Sequence, residues 1–209
     1  MNFISNLKNL PEVFTVGDAV DILSQRYKAP LKALAFLEKQ GILLRRNQYA
    51  FSQGFDPLIA ANLIVTPSYV SFEAALSFYG LIPERTQVIL SVVEGRPQII
   101  STPAGNFEYV SQSRALFALG MNLLIDNGKS LAIASPEMAL LGTLAKAKLR
   151  KETITPTQIL NYLVDGLRID SDDLAKLSVK KMRAMAPLYR NRAPSKLILA
   201  LSKKEIHDE

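Results

Sequence analysis

The stretch TVGDAVDILSQRYKAPLKALAFLEKQGILLRRNQYAF, residues 15–51, has the pattern of two short helices followed by a hairpin. Thr15 and Asp18 have capping-box spacing. The Thr15 hydroxyl can accept from the Asp18 N–H, and the Asp18 carboxylate can reach back. Val16, Ala19, Val20 and Leu23 then recur at i, i+3, i+4 and i+7, one face of a helix. Pro30 suits a first helical position, Leu31, Leu34 and Leu37 follow it, and Gly41 is a stop. Ile42–Arg46 and Tyr49–Phe51 flank Asn47-Gln48, a hairpin turn. Helix, turn, helix and a two-stranded wing in this order predict a winged helix-turn-helix, a fold that lays its second helix in the DNA major groove.

Composition narrows the chemistry. The 209 residues allow one large or two small domains, and 48% are apolar, enough for real cores. With no cysteine, a disulfide framework and a thiolate zinc site are ruled out. The one histidine, His207, excludes a multi-histidine metal site within the chain. Its place near the end also argues against a Ser-His-Asp triad. Met1-Asn2-Phe3-Ile4-Ser5 lacks the basic and apolar regions of a signal peptide, and no apolar run is long enough for a membrane span. A soluble, cytoplasmic protein is expected.

The net charge of +6 is unevenly spread. Residues 1–54 hold seven Lys/Arg against four acids, residues 55–144 four against seven, and residues 145–209 fourteen against eight. Basic ends around an acidic middle suit a protein that touches phosphate at two places. Mild basicity alone is common among soluble proteins, so the charge supports DNA binding without requiring it.

Beyond Gly54 the pattern changes. Asp56-Pro57 opens an apolar segment, Leu58–Val65, read as a linker helix that Thr66-Pro67 breaks. Ser71 is a candidate cap for a helix carrying Phe72, Ala75, Leu76 and Tyr79, and Gly80 ends it. Strands are expected over Gln87–Val93, Gln98–Thr102, Asn106–Val110 and Leu131–Ala134. Ser135-Pro136-Glu137 starts a helix, and Thr155-Pro156-Thr157-Gln158 has the form of a capping box. Asp170-Ser171-Asp172-Asp173 begins another, and Ser195 is a candidate cap for a last helix through Leu201. The fold class is therefore α+β: a winged helix-turn-helix over 1–54, a linker helix over 55–67, and a C-terminal domain over 68–209. That domain should mix helices and strands to about residue 150 and be helical beyond.

The candidate DNA-binding residues follow from this frame. Gln25 and Tyr27 sit in the turn before the second helix, beside Lys28. Lys28 and Lys32 are four apart and avoid the leucine face, so they can approach phosphates or guanine edges together. Arg45, Arg46 and Gln48, with Asn47, form a compact wing tip suited to phosphate or minor-groove contact. Lys180, Lys181 and Arg183, with Arg190 and Arg192, form a second basic cluster that an ordinary solvated face would also produce. No Walker loop, GxGxxG or HExxH is present, and the acids of the middle region show no metal-binding spacing. No catalytic residue, metal or cofactor is expected.

Three segments carry a family resemblance. Pro67-Ser68-Tyr69-Val70-Ser71-Phe72-Glu73-Ala74-Ala75-Leu76-Ser77-Phe78-Tyr79-Gly80-Leu81-Ile82-Pro83 resembles the opening of the second domain of the AbiEi-type antitoxins of bacterial abortive-infection systems. Thr102-Pro103-Ala104-Gly105-Asn106-Phe107-Glu108-Tyr109 is similar to their Thr-Pro-x-Gly-x-(Phe/Tyr) segment. Ile133-Ala134-Ser135-Pro136-Glu137-Met138-Ala139-Leu140-Leu141 is similar to their Ala-(Ser/Thr)-Pro-Glu-(Lys/Arg)-Ala-Leu start, with Met138 replacing the basic residue. Each motif alone is weak; their order and spacing are specific.

The resemblance implies a repressor that binds inverted repeats in its own promoter. It also implies a C-terminal domain that counters a nucleotidyltransferase-like toxin without requiring a stable complex. It links basic C-terminal residues to DNA and so strengthens the case for Lys180, Lys181 and Arg183. Two protomers would occupy the two half-sites, as monomers that meet on double-stranded DNA. A stand-alone regulator whose C-terminal domain senses a ligand or partner is the alternative, and an interaction module or nucleic-acid enzyme is the weakest reading.

Overall fold

A computed structural model describes residues 13–24, 41–45, 48–51, 56–102, 105–126, 129–147 and 154–207. The protein is α+β, with two sheets. The first begins with β1 (Val13–Thr15), which leads straight into helix α1 (Val16–Ser24). The Thr15–Asp18 capping box forms: the Thr15 N–H donates to Asp18 Oδ2 at 2.7 Å and the Asp18 N–H to Thr15 Oγ1 at 3.2 Å. Strands β2 (Gly41–Arg45) and β3 (Gln48–Phe51) are the expected hairpin, paired antiparallel with an irregularity between Leu43 and Arg45. The sequence reading gave the wing two strands. The sheet has three, in the order β1-β3-β2, because β1 pairs antiparallel with β3. The second helix expected from Pro30 lies outside the described residues.

The second sheet has the order β6-β7-β5-β4-β9-β8. Its strands are β4 (Ser68–Val70), β5 (Val88–Val93), β6 (Gln98–Thr102), β7 (Gly105–Ser111), β8 (Met121–Asp126) and β9 (Lys129–Ala134). Four were expected from apolar runs; β4 and β8 were not. β4 pairs parallel with β9, and β5 parallel with β7, while the other neighbours are antiparallel. Paired residues share a face of the pleat. Val70, Ser91, Tyr109 and Ile133 therefore lie on one face, and Tyr69, Val92 and Val110 on the other.

The first face is covered by helix α2 (Pro57–Ile64), capped by the Asp56 carboxylate on the Leu58 N–H. The Tyr109 hydroxyl donates to the Ala61 carbonyl at 2.8 Å, and Asn62 accepts from the Ala132 N–H. The helix read as a linker thus buries Ala60, Ala61 and Ile64 in the main core, and Val13 of β1 joins the same cluster.

The second face carries α4 (Arg114–Gly120), whose Phe117 ring meets Tyr69 at 5.2 Å. It also carries α5 (Pro136–Lys146), fully buried from Met138 to Leu141, and α3 (Phe72–Phe78), which packs against α5. Ser135 caps α5 by accepting from the Met138 N–H. Ser71 precedes α3 but its buried hydroxyl makes no capping bond, contrary to expectation. Gly80 ends that helix at a φ of 72°, where a Cβ would be strained.

Four helices form the outer layer: α6 (Pro156–Asn161, continued by a π turn to Gly166), α7 (Ser171–Ala175), α8 (Val179–Met185, continued by a 3₁₀ turn over Ala186–Leu188) and α9 (Ala193–His207). The last helix starts two residues before the expected Ser195 cap. The Asn191 side chain accepts from the Ala193 N–H and donates to the Ala145 carbonyl, which fixes the earlier start. At α6 the full capping box forms between Thr155 and Gln158. Thr155→Ala should cost about 1 kcal/mol in a urea unfolding curve, with the slope unchanged.

Candidate nucleic-acid interface

The register of the three-stranded sheet builds a row across one of its ends. Thr15 of β1 pairs with Gln48 of β3, and Gln48 pairs with Arg45 of β2. Thr15 is also the cap of α1, so the entry to that helix and the root of the hairpin tip share this end of the sheet. Two of the expected contact residues, Arg45 and Gln48, are therefore neighbours on the backbone. Gln25, Tyr27, Lys28, Lys32 and Arg46 lie outside the described residues.

The second cluster sits on α8. Ser178 caps this helix by accepting from the Lys181 N–H at 3.3 Å. Glu137, at the second position of α5, reaches the same cap: its Oε1 accepts from the Ser178 N–H at 3.3 Å. Met182 and Met185 face the core, leaving Lys180, Lys181 and Arg183 exposed. The Lys181 ammonium lies 3.6 Å from Glu137 Oε1, whose carboxylate is 7% exposed. That pairing matters, because a nearly buried carboxylate needs a compensating charge. Part of the Lys181 charge is thus committed within the fold, whereas no acid among the described residues lies within ion-pair reach of Lys180. Arg190 and Arg192 are exposed at the break before α9. Three other cations pair with acids: Arg168 with Glu84, Lys176 with Asp173, and Lys146 with Glu108 at 3.1 Å.

A cleft of about 510 Å³ opens beside this region, bordered by Phe72, Gln112, Gly142, Lys146, Tyr189 and Arg190. Sequence reasoning missed it, since its walls come from four separate segments. The only local hint was Gly142 inside an apolar helix. Burial raises the pKa of the Tyr69 and Tyr189 phenols, so both stay protonated donors.

Among the described residues no group of three or more acids, histidines or cysteines could hold a metal ion, and no helix is long and apolar enough to cross a membrane. Comparison with protein-family models gives no match to this chain, and comparison with curated proteins gives none either.

Proposed function

We propose that this chain is a cytoplasmic DNA-binding antitoxin of the AbiEi type, which represses its own operon and counters a nucleotidyltransferase-like toxin. One observation carries the DNA half. A strand, a capped helix and a hairpin join in the sheet order β1-β3-β2, with Arg45 and Gln48 at the root of the tip. A winged helix-turn-helix needs this scaffold to hold its second helix and wing against one duplex. The basic ends of the chain supply the charge that phosphate contact requires. Lys180, Lys181 and Arg183 add a second basic patch for phosphate, in which Glu137 already holds part of the Lys181 charge. The antitoxin half rests on the three motif segments. The helix-start motif also has a structural role, since Ser135 caps α5 and Glu137 braces α8.

The reading is tested in cells with two readouts. A reporter behind the chain's own promoter should fall on its expression, and the gene beside its own should arrest growth alone and cease to do so when the chain is co-expressed. Unchanged reporter output would defeat the repressor assignment. Repression without rescue would favour the stand-alone regulator, a reading that the C-terminal cleft supports.

A further inference from the structure

The cleft beside Tyr189 is built from elements that do not need to form a hollow. Its volume of about 510 Å³ falls in the range of small-molecule sites. Phe72 holds a φ of 55°, a conformation that a non-glycine residue keeps only where its surroundings over-determine it. Its ring lies against Gly142: a Cβ there would stand 3.2 Å from the ring and 3.7 Å from the Tyr189 hydroxyl. The buried Phe72 ring and the phenol thus meet at Gly142 beneath the cleft, where a larger residue would crowd both. Val110, Leu116 and Leu188 add apolar wall, while Ser111 and Ser113 add hydroxyls.

The polar groups are under-used. The Tyr189 hydroxyl donates to Met138 Sδ at 2.8 Å, and a thioether is a weak acceptor. Arg190 stands exposed at the cleft, with no acid among the described residues within ion-pair reach. Lys146 shares its charge with Glu108 and so contributes less.

We infer that this cleft binds a small organic carboxylate with an apolar body. The body lies against the exposed Leu188 and half-buried Val110, where its apolar surface leaves water. The carboxylate accepts the hydrogen bond of the Tyr189 hydroxyl in place of the Met138 thioether and pairs with the Arg190 guanidinium. Both are charge-assisted bonds, stronger than the one they replace. The inference does not need the DNA reading, because the cleft lies wholly between residues 72 and 190; only Arg190 is shared with the second basic cluster.

The test is calorimetric titration of the full chain with benzoate and salicylate, using benzyl alcohol as the neutral analogue. Benzoate should bind saturably and at least about tenfold tighter than benzyl alcohol. Arg190→Ala should weaken benzoate about tenfold, and Tyr189→Phe several-fold, with circular dichroism showing both variants folded. Ring-proton shifts of Phe72 and Tyr189 should saturate with the same constant. Three results would overturn the inference: no saturable binding, equal affinity for benzoate and benzyl alcohol, or an Arg190→Ala variant that binds as the parent does.

Discussion

Replacing Lys28 and Lys32 together by alanine is expected to abolish sequence-specific binding to the chain's own upstream DNA while leaving thermal unfolding almost unchanged. Lys28 immediately precedes the expected helix and Lys32 lies in its first turn, four positions on and away from Leu31, Leu34 and Leu37. Residues at the start of a recognition helix are the ones that reach base edges, so both would enter the groove there. Each good base contact is worth about 1–3 kcal/mol of discrimination, so losing two removes roughly one to four powers of ten in preference for the operator. If they hold phosphates instead, affinity falls for every sequence and the salt slope drops by about 0.9 per contact. Surface substitutions of this kind change stability by within about 0.5 kcal/mol. Unchanged promoter affinity in the double variant would remove this helix from the interface.

The second large effect belongs to Met138. The AbiEi-type segment that this helix start resembles has Lys or Arg at the matching position, yet Met138 here is fully buried. Its Sδ accepts from Tyr189, and a Cβ on Gly120 would stand 2.5 Å from its Cγ and Cε. Met138→Lys would place an ammonium in that pocket without a charge partner, at a cost of roughly 3–5 kcal/mol. Met138→Leu, which nearly conserves volume, should cost less than about 1.5 kcal/mol. The lysine variant also carries a pH signature. Burial lowers the folded-state pKa of that lysine below its unfolded value, so the unfolded state binds more protons. Its stability deficit should therefore shrink as pH rises toward the unfolded lysine pKa. Urea midpoints for both variants at neutral and alkaline pH check this. Equal midpoints for Met138→Lys and Met138→Leu would mean the side chain is not enclosed as described.

The sequence made some elements plain and hid others for physical reasons. The capping boxes at Thr15 and Thr155 are local, because three residues hold both partners. The β5 and β9 runs are apolar and bounded, so their strands were legible. β4 has only three residues, too few to show a period, and its place between β5 and β9 depends on partners far along the chain. α4 runs directly into β8 at Gly120–Met121, with no proline or polar loop to mark the change. The last helix was misplaced because the residue that fixes its start, Asn191, bonds to Ala145 of α5. At the candidate interface, charge and spacing named Lys180, Lys181 and Arg183, and all three are exposed. The hold of Glu137 on Lys181 spans 44 positions and could not be read locally. The cleft was hidden for the same reason.

The most direct test of the account is fluorescence-anisotropy binding of the full chain to the DNA upstream of its own gene. A scrambled duplex of equal length serves as the control, and both are titrated with salt. Tight binding to the native sequence alone is expected, with an affinity that falls steeply as salt rises. Equal and weak binding to both duplexes would contradict it, and the C-terminal domain would then hold the function.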